Sequence, residues 1–67
     1  MNIILNNIPT PLPSDYMTLE DLVKWKNIKP VGTAIALNDR IVRKESWNLT
    51  RLSDLDRVTI ISAAFGG

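Results

Sequence analysis

The sequence predicts an α+β fold in which a mixed sheet packs on one main helix. Two observations predict it. Short apolar segments with strand-like composition lie on both sides of a single segment with helical spacing, and clusters of turn residues separate them. A mixed order of elements with one helix is typical of a sheet covered on one face. All 67 residues are assigned to one domain, because no linker is long enough to divide the chain.

The chain begins with a predicted buried strand at Ile3–Leu5, followed by a turn at Asn6-Asn7. Pro9, Pro11 and Pro13 come next. They restrict this segment to an edge strand or an extended loop, because proline cannot donate to a sheet ladder.

A helix is predicted to begin at Thr18. The Thr18 hydroxyl can cap the first turn, and Asp21 stands at the spacing of a reciprocal capping box. The helix is expected to end near Asn27, before Pro30. Its apolar residues recur at helical spacing and form one stripe. They are Leu19, Leu22, Val23 and, at the end, Trp25.

From Thr33 the period changes to two, as expected of a strand with one face of large side chains. Asn38-Asp39 is a turn that leads into a short strand at Ile41-Val42. Lys44–Trp47 is predicted to be a brief helical turn or a loop. Trp47 is expected to pack beneath it, with a ligand contact as the alternative.

A second turn is predicted at Asp54–Asp56, and its two carboxylates are expected to be solvated rather than catalytic. The last strand is Val58–Ala63, which is rich in β-branched residues.

Composition excludes several function classes. The chain has no cysteine and no histidine, so it lacks a thiolate nucleophile and the commonest general base and metal ligand. Eight basic and seven acidic residues give a net charge of +1. No concentrated basic face suggests nucleic-acid binding, and no apolar segment is long enough to span a membrane. We therefore expect a cytoplasmic protein that binds no metal and is not an enzyme by itself.

Strand alternation predicts a second surface on the sheet. If the large residues Ile35 and Leu37 face the helix, small and apolar residues must face away from it. A sheet face that contacts only solvent need not be apolar, so we interpret this face as part of a partner-binding patch. An ordinary half-exposed sheet face is the alternative. The residues concerned are Ile4, Ala34, Ala36, Thr59 and Ile61.

Several segments in ordered spacing resemble the ThiS-type sulfur carrier proteins, which belong to the ubiquitin-like β-grasp group. The resemblance covers essentially the full length and depends most on spacing together with a terminal diglycine. The matching points are Ala34–Asn38, Ile41-Val42, Trp47, Leu52, Asp54, Asp56, Val58 and Gly66-Gly67. The chain departs from the family pattern at Leu55, where a glycine is expected, at Arg43, where a proline is common, and at Lys26, where the helix usually presents an apolar residue.

The resemblance implies a β-grasp domain with a flexible, reactive C-terminal tail at residues 64–67. A ThiF-like adenylating enzyme would activate the Gly67 carboxylate with its own ATP and Mg²⁺, and a sulfur-donor system would convert it to a thiocarboxylate. A ThiG-like thiazole synthase would then take the sulfur for thiamine biosynthesis. Without a Cβ, Gly66 would give access to a narrow catalytic channel. The chain itself would bind no cofactor.

The three residues before the diglycine, Ala63, Ala64 and Phe65, have two interpretations. They either complete the last strand, with Phe65 folded onto the domain, or bind in a groove of the partner. Two alternatives to the thiamine carrier also stay open. One is the related carrier for molybdopterin synthesis, which uses the same fold and terminus. The other is a non-covalent β-grasp interaction module whose terminus has no chemical role.

Overall fold

The structure, a computed structural model, describes residues 1–62. Within them, five strands form one mixed sheet and one α-helix covers it, so the predicted α+β fold is confirmed. The residues of the predicted carrier terminus, Ala63, Ala64, Phe65, Gly66 and Gly67, lie outside the described residues. The elements, in chain order, are β1 (Asn2–Leu5), β2 (Ile8–Pro11), α1 (Leu19–Trp25), β3 (Thr33–Leu37), β4 (Arg40–Val42), a 3₁₀ helix (Lys44–Leu49) and β5 (Arg57–Ser62).

The strand order across the sheet is β2-β1-β5-β3-β4. The last strand in sequence, β5, therefore lies at the centre, parallel to β1 and antiparallel to β3. β2 and β4 form the two edges, each antiparallel to its neighbour. The strand that leads to the C-terminal residues is therefore paired with a neighbouring strand on each side.

The first two strands form a hairpin closed by a two-residue turn. Asn6 and Asn7 both take left-handed backbone angles, with φ of 48° and 67°. Such turns match the twist of the flanking strands, and asparagine tolerates the left-handed region better than most residues. The prolines of β2 lie on an outer edge of the sheet, as predicted.

The predicted capping box of α1 is present. The Thr18 hydroxyl accepts a hydrogen bond from the Asp21 backbone N–H at 3.1 Å, and the Asp21 carboxylate accepts one from the Thr18 N–H at 3.0 Å. The backbone hydrogen bond from Thr18, with a second from its side chain, lowers the pKa of Asp21 below its ordinary value. The helix ends at Trp25, with Lys26 as its C-cap.

The predicted place of Trp25 in the apolar stripe is wrong, since this side chain is 43% exposed. Leu19, Leu22 and Val23 are buried, and Trp25 falls beyond the edge of the stripe that they define. Lys26 occupies the next position on the stripe but caps the helix. Ile28 packs against the core after the helix has ended.

The core lies between α1 and the inner face of the sheet and is entirely apolar among the described residues. Trp47 packs beneath the 3₁₀ helix, as predicted, with 3% of its surface exposed. Its indole N–H donates to the Val42 carbonyl at 3.0 Å. The buried side chains are Ile3, Leu5, Leu12, Met17, Leu19, Leu22, Val23, Ile35, Trp47, Leu52 and Val58.

Candidate partner-binding face and carrier strand

Strand β5 has two distinct faces because successive side chains alternate across the sheet. Val58 is buried against the helix side, and Ile60 packs partly against the core. Thr59 and Ile61 are exposed on the other side. The strand that leads to the C-terminal residues thus also contributes to the face away from the helix.

Neighbouring strands place further predicted residues on this same face, since residues directly opposite each other in a sheet share a face. Ala34 lies opposite Ile61, and Ala36 lies opposite Thr59. Leu5, beside Ile4, lies opposite the buried Val58, which puts Ile4 on the outer side. The structure therefore brings the five predicted residues together. We call Ile4, Ala34, Ala36, Thr59 and Ile61 the open face; its contact with a partner stays a prediction.

Apolar residues of both edge strands join the open face, and sequence reasoning missed them. Ile41 lies opposite Ala36 and is 67% exposed. Pro9 lies opposite Ile4 on the other edge. Alternation within the short strand Ile41-Val42 could have indicated that one of these two side chains must face outward, but it could not say which one.

Arg57 supplies the positive charge of the open face, because it lies opposite Ile4. Its guanidinium makes an ion pair with the Asp39 carboxylate, with a nitrogen–oxygen distance of 2.7 Å. Both side chains are exposed, so the pair contributes little to stability. Arg57 therefore lies beside the apolar residues with its guanidinium in contact with Asp39.

The two carboxylates of the Asp54–Asp56 turn hold backbone groups. Asp54 Oδ1 accepts from the Asn2 N–H at 2.8 Å, and Asp56 Oδ2 accepts from the Ser53 N–H at 2.7 Å. Leu55 between them takes φ of 66°, the left-handed conformation that glycine adopts more easily. The turn therefore keeps a glycine-type backbone although leucine occupies the position. These acids organise the turn, a role that the sequence did not indicate, since it predicted two solvated carboxylates and Asp56 is only partly exposed.

A groove of about 340 Å³ lies on the helix side of the domain, away from the open face. Glu20 and Lys24 line it and form an ion pair at 3.7 Å. The chain has no histidine or cysteine to supply a nucleophile or general base there. In residues 1–62, no group of three acidic side chains could hold a metal ion. None of the described helices is long and apolar enough to cross a membrane.

Together these observations define the class of protein: a one-helix β-grasp domain with its last strand at the centre of the sheet and an apolar outer face. The family model described as the ThiS family matches residues 3–67, and the chain belongs to that family. The predicted resemblance is thereby confirmed. Membership supports a sulfur carrier of thiamine biosynthesis rather than a catalyst.

The fold is also similar to a crystal structure of the thiamine biosynthesis protein ThiS from Geobacter metallireducens. The two chains are 20% identical, the match covers 100% of each, and the TM-score is 0.87. At this identity the comparison shows the common fold. A search of curated proteins found no match.

Proposed function

We propose that this protein carries sulfur as a thiocarboxylate on Gly67 and donates it for thiazole formation in cytoplasmic thiamine biosynthesis. The observation that supports this best is that the ThiS match extends to residue 67 and so includes Gly66-Gly67. These glycines follow β5, the central strand. The domain would present the terminus, and partner enzymes would perform the chemistry.

The proposed reaction begins with the carboxylate of Gly67. One carboxylate oxygen attacks the α-phosphorus of ATP in a ThiF-like adenylating enzyme, and pyrophosphate leaves. Mg²⁺ bound by that enzyme neutralises phosphate charge. A hydrosulfide equivalent from the sulfur-donor system then attacks the acyl carbon, and AMP leaves with its oxygen. The product is a thiocarboxylate, whose sulfur a ThiG-like thiazole synthase uses.

The open face is the proposed docking surface for the adenylating enzyme. Its side chains are apolar or small, and Ile61 and the neighbouring Ile41 are more than half exposed. Arg57 at the same face could pair with an acidic group of the partner once the interface excludes water. Because Thr59 and Ile61 belong to β5, docking would hold the strand from which the terminus extends.

Intact-mass measurement tests the proposal directly. The purified chain is incubated with a ThiF-like enzyme of proven activity, ATP, Mg²⁺ and sulfide. The expected result is a mass gain equal to the difference between sulfur and oxygen. A variant that lacks Gly66 and Gly67 serves as the control and should show no gain. An unchanged mass for the full chain would favour a non-covalent interaction module instead.

Product transfer then separates the two kinds of carrier. The thiocarboxylate form is supplied to thiazole synthase and, in parallel, to the large subunit of molybdopterin synthase. We expect consumption of the thiocarboxylate by thiazole synthase with its other substrates present. If molybdopterin synthase consumes the thiocarboxylate and thiazole synthase does not, the chain is a carrier for molybdopterin synthesis.

A further inference from the structure

Asn6 occupies the point where β1 stops and β5 continues. Its backbone N–H donates to the Val58 carbonyl at 2.8 Å, which is the last main-chain hydrogen bond from this end of β1 to β5. The left-handed backbone of Asn6 then turns the chain into β2. Strand β5 extends four residues past Val58, to Ser62. On the β1 side, this last part of the central strand has no main-chain neighbour within the described residues.

The Asn6 side chain takes the place of the β1 peptide group that would pair with Ile60 if β1 continued. Its Oδ1 accepts a hydrogen bond from the Ile60 N–H at 2.7 Å, and its Nδ2 lies 3.4 Å from the Ile60 carbonyl oxygen, to which it donates. A carboxamide carries the same donor and acceptor as a backbone peptide. The parallel pairing therefore continues one step beyond the end of β1.

Ile60 is held from its other sides as well. It lies opposite Ile35 of β3, and its side chain packs against the core. Asn6 completes this set of contacts two residues before the end of β5. Gly67 lies seven positions after Ile60 in the sequence. Ile60 is thus the last position of the described chain that is paired on both sides.

We propose that Asn6 is a positioning residue for the carrier terminus. By fixing the backbone of Ile60, its carboxamide sets the place and direction from which the residues after Ser62 reach the adenylating site. The inference rests on the proposed function, since positioning matters only if the terminus reacts. The open face includes Thr59 and Ile61 of the same strand but does not include Asn6, so binding and positioning can be separated.

The competing explanation is that Asn6 merely suits the turn. Asn7 provides the comparison, because it has the same left-handed backbone while the turn's side-chain hydrogen bonds come from Asn6. Glycine satisfies the backbone at either position. Only the Asn6→Gly variant, however, removes the contact with Ile60. A turn role predicts equal effects of the two substitutions, and a positioning role predicts different ones.

The test compares Asn6→Gly, Asn7→Gly and Asn6→Asp in the full chain. Amide hydrogen exchange measures the protection of the Ile60 amide. The Thr59 amide, which pairs toward β3, serves as an internal reference for global opening. We expect Ile60 exchange to rise about fivefold relative to Thr59 in Asn6→Gly, because the hydrogen bond that the Ile60 N–H donates is lost, and to stay within about twofold in Asn7→Gly. Asn6→Asp keeps the acceptor and should restore most of the protection.

Steady-state ATP–pyrophosphate exchange by the adenylating enzyme measures how each substitution changes adenylation of the carrier. For Asn6→Gly we expect kcat to fall about fivefold while the KM for the carrier stays within about twofold, since the open face is intact. Asn6→Asp should recover most of the lost kcat. Equal effects of Asn6→Gly and Asn7→Gly, a change in KM alone, or unchanged kcat would overturn the inference. Failure of the unsubstituted chain to be adenylated would instead refute the proposed function.

Discussion

Replacement of Ile41 by threonine tests the open face most directly, because the chain contains a matched control. Ile41 and Ile8 are both isoleucines on edge strands, exposed by 67% and 64%. Ile41 lies opposite Ala36 and faces outward with the open face. Ile8 lies opposite the buried Leu5 and therefore faces the helix side. Threonine keeps the β-branch that suits a strand, so the substitutions differ mainly in which face loses apolar surface.

The expected effect on binding follows from the exposed fraction of Ile41. Full burial of an isoleucine side chain contributes about 1.5–3 kcal/mol, and about two thirds of that, roughly 1–2 kcal/mol, remains available to an interface. Threonine retains one methyl group and forfeits most of this gain, about 1 kcal/mol. Ile41→Thr should therefore weaken binding of the adenylating enzyme roughly fivefold, and Ile8→Thr should leave it unchanged.

The effect on folding should be small and equal for the two variants. Only about a third of each side chain is buried, which corresponds to roughly 0.5–1 kcal/mol of the free energy of unfolding. In a domain of this size such a loss lowers Tm by about 2–8 °C. Thermal melts therefore control for damage to the fold.

Binding is measured by isothermal titration of each variant into the adenylating enzyme and as the KM for the carrier in ATP–pyrophosphate exchange. Equal weakening by Ile41→Thr and Ile8→Thr, or no weakening by either, would refute the assignment of the open face as the docking surface. If affinity falls in proportion to Tm across the two variants, the weaker binding reflects damage to the fold, and the assignment is refuted as well.

Three further substitutions test the fold. Trp47→Phe removes the indole donor to the Val42 carbonyl and should lower the free energy of unfolding by about 2 kcal/mol in urea titrations; a change below about 0.5 kcal/mol would contradict the packing described. The lowered pKa of Asp21 implies stability that is present above the ordinary aspartate pKa and lost as the pH falls through the folded-state value. Asp21→Asn should accordingly lose less stability than the unsubstituted chain between neutral pH and about pH 3; equal losses would disprove the role of the carboxylate. Leu55→Ile places a β-branched side chain at φ of 66° and should destabilise by about 1 kcal/mol or more, whereas Leu49→Ile, at another exposed leucine, should cost less.

The elements that depend on local pattern could be predicted from the sequence. The capping box needs only Thr18 and Asp21 at the right spacing, and the alternation of large and small residues in β3 determines which of them face the core. The same alternation predicted the membership of the open face. In each case a period of two or of 3.6 residues carries the information.

The features that the sequence did not reveal depend on contacts between distant residues. The carboxamide of Asn6 reaches Ile60, and that of Asn38 accepts from the Arg57 N–H at 2.9 Å. Both asparagines also suit a turn, so the sequence pattern gives no reason to assign a second role. The exposure of Trp25 could not be predicted either, because a helix of seven residues is too short to define the edge of an apolar stripe.

The position of the open face on β5 limits where the partner's reaction centre can lie. Ile61 and Gly67 are six residues apart in the chain. A fully extended chain spans at most about 3.3–3.6 Å per residue, so the Cα atom of Gly67, which bears the carboxylate, can lie no more than roughly 22 Å from the Cα atom of a docked Ile61. Two side-chain amides fix the strand before this point, Asn38 at Arg57 and Asn6 at Ile60. An adenylating enzyme that binds the open face must therefore bring the α-phosphate of ATP within that distance of the Ile61 contact.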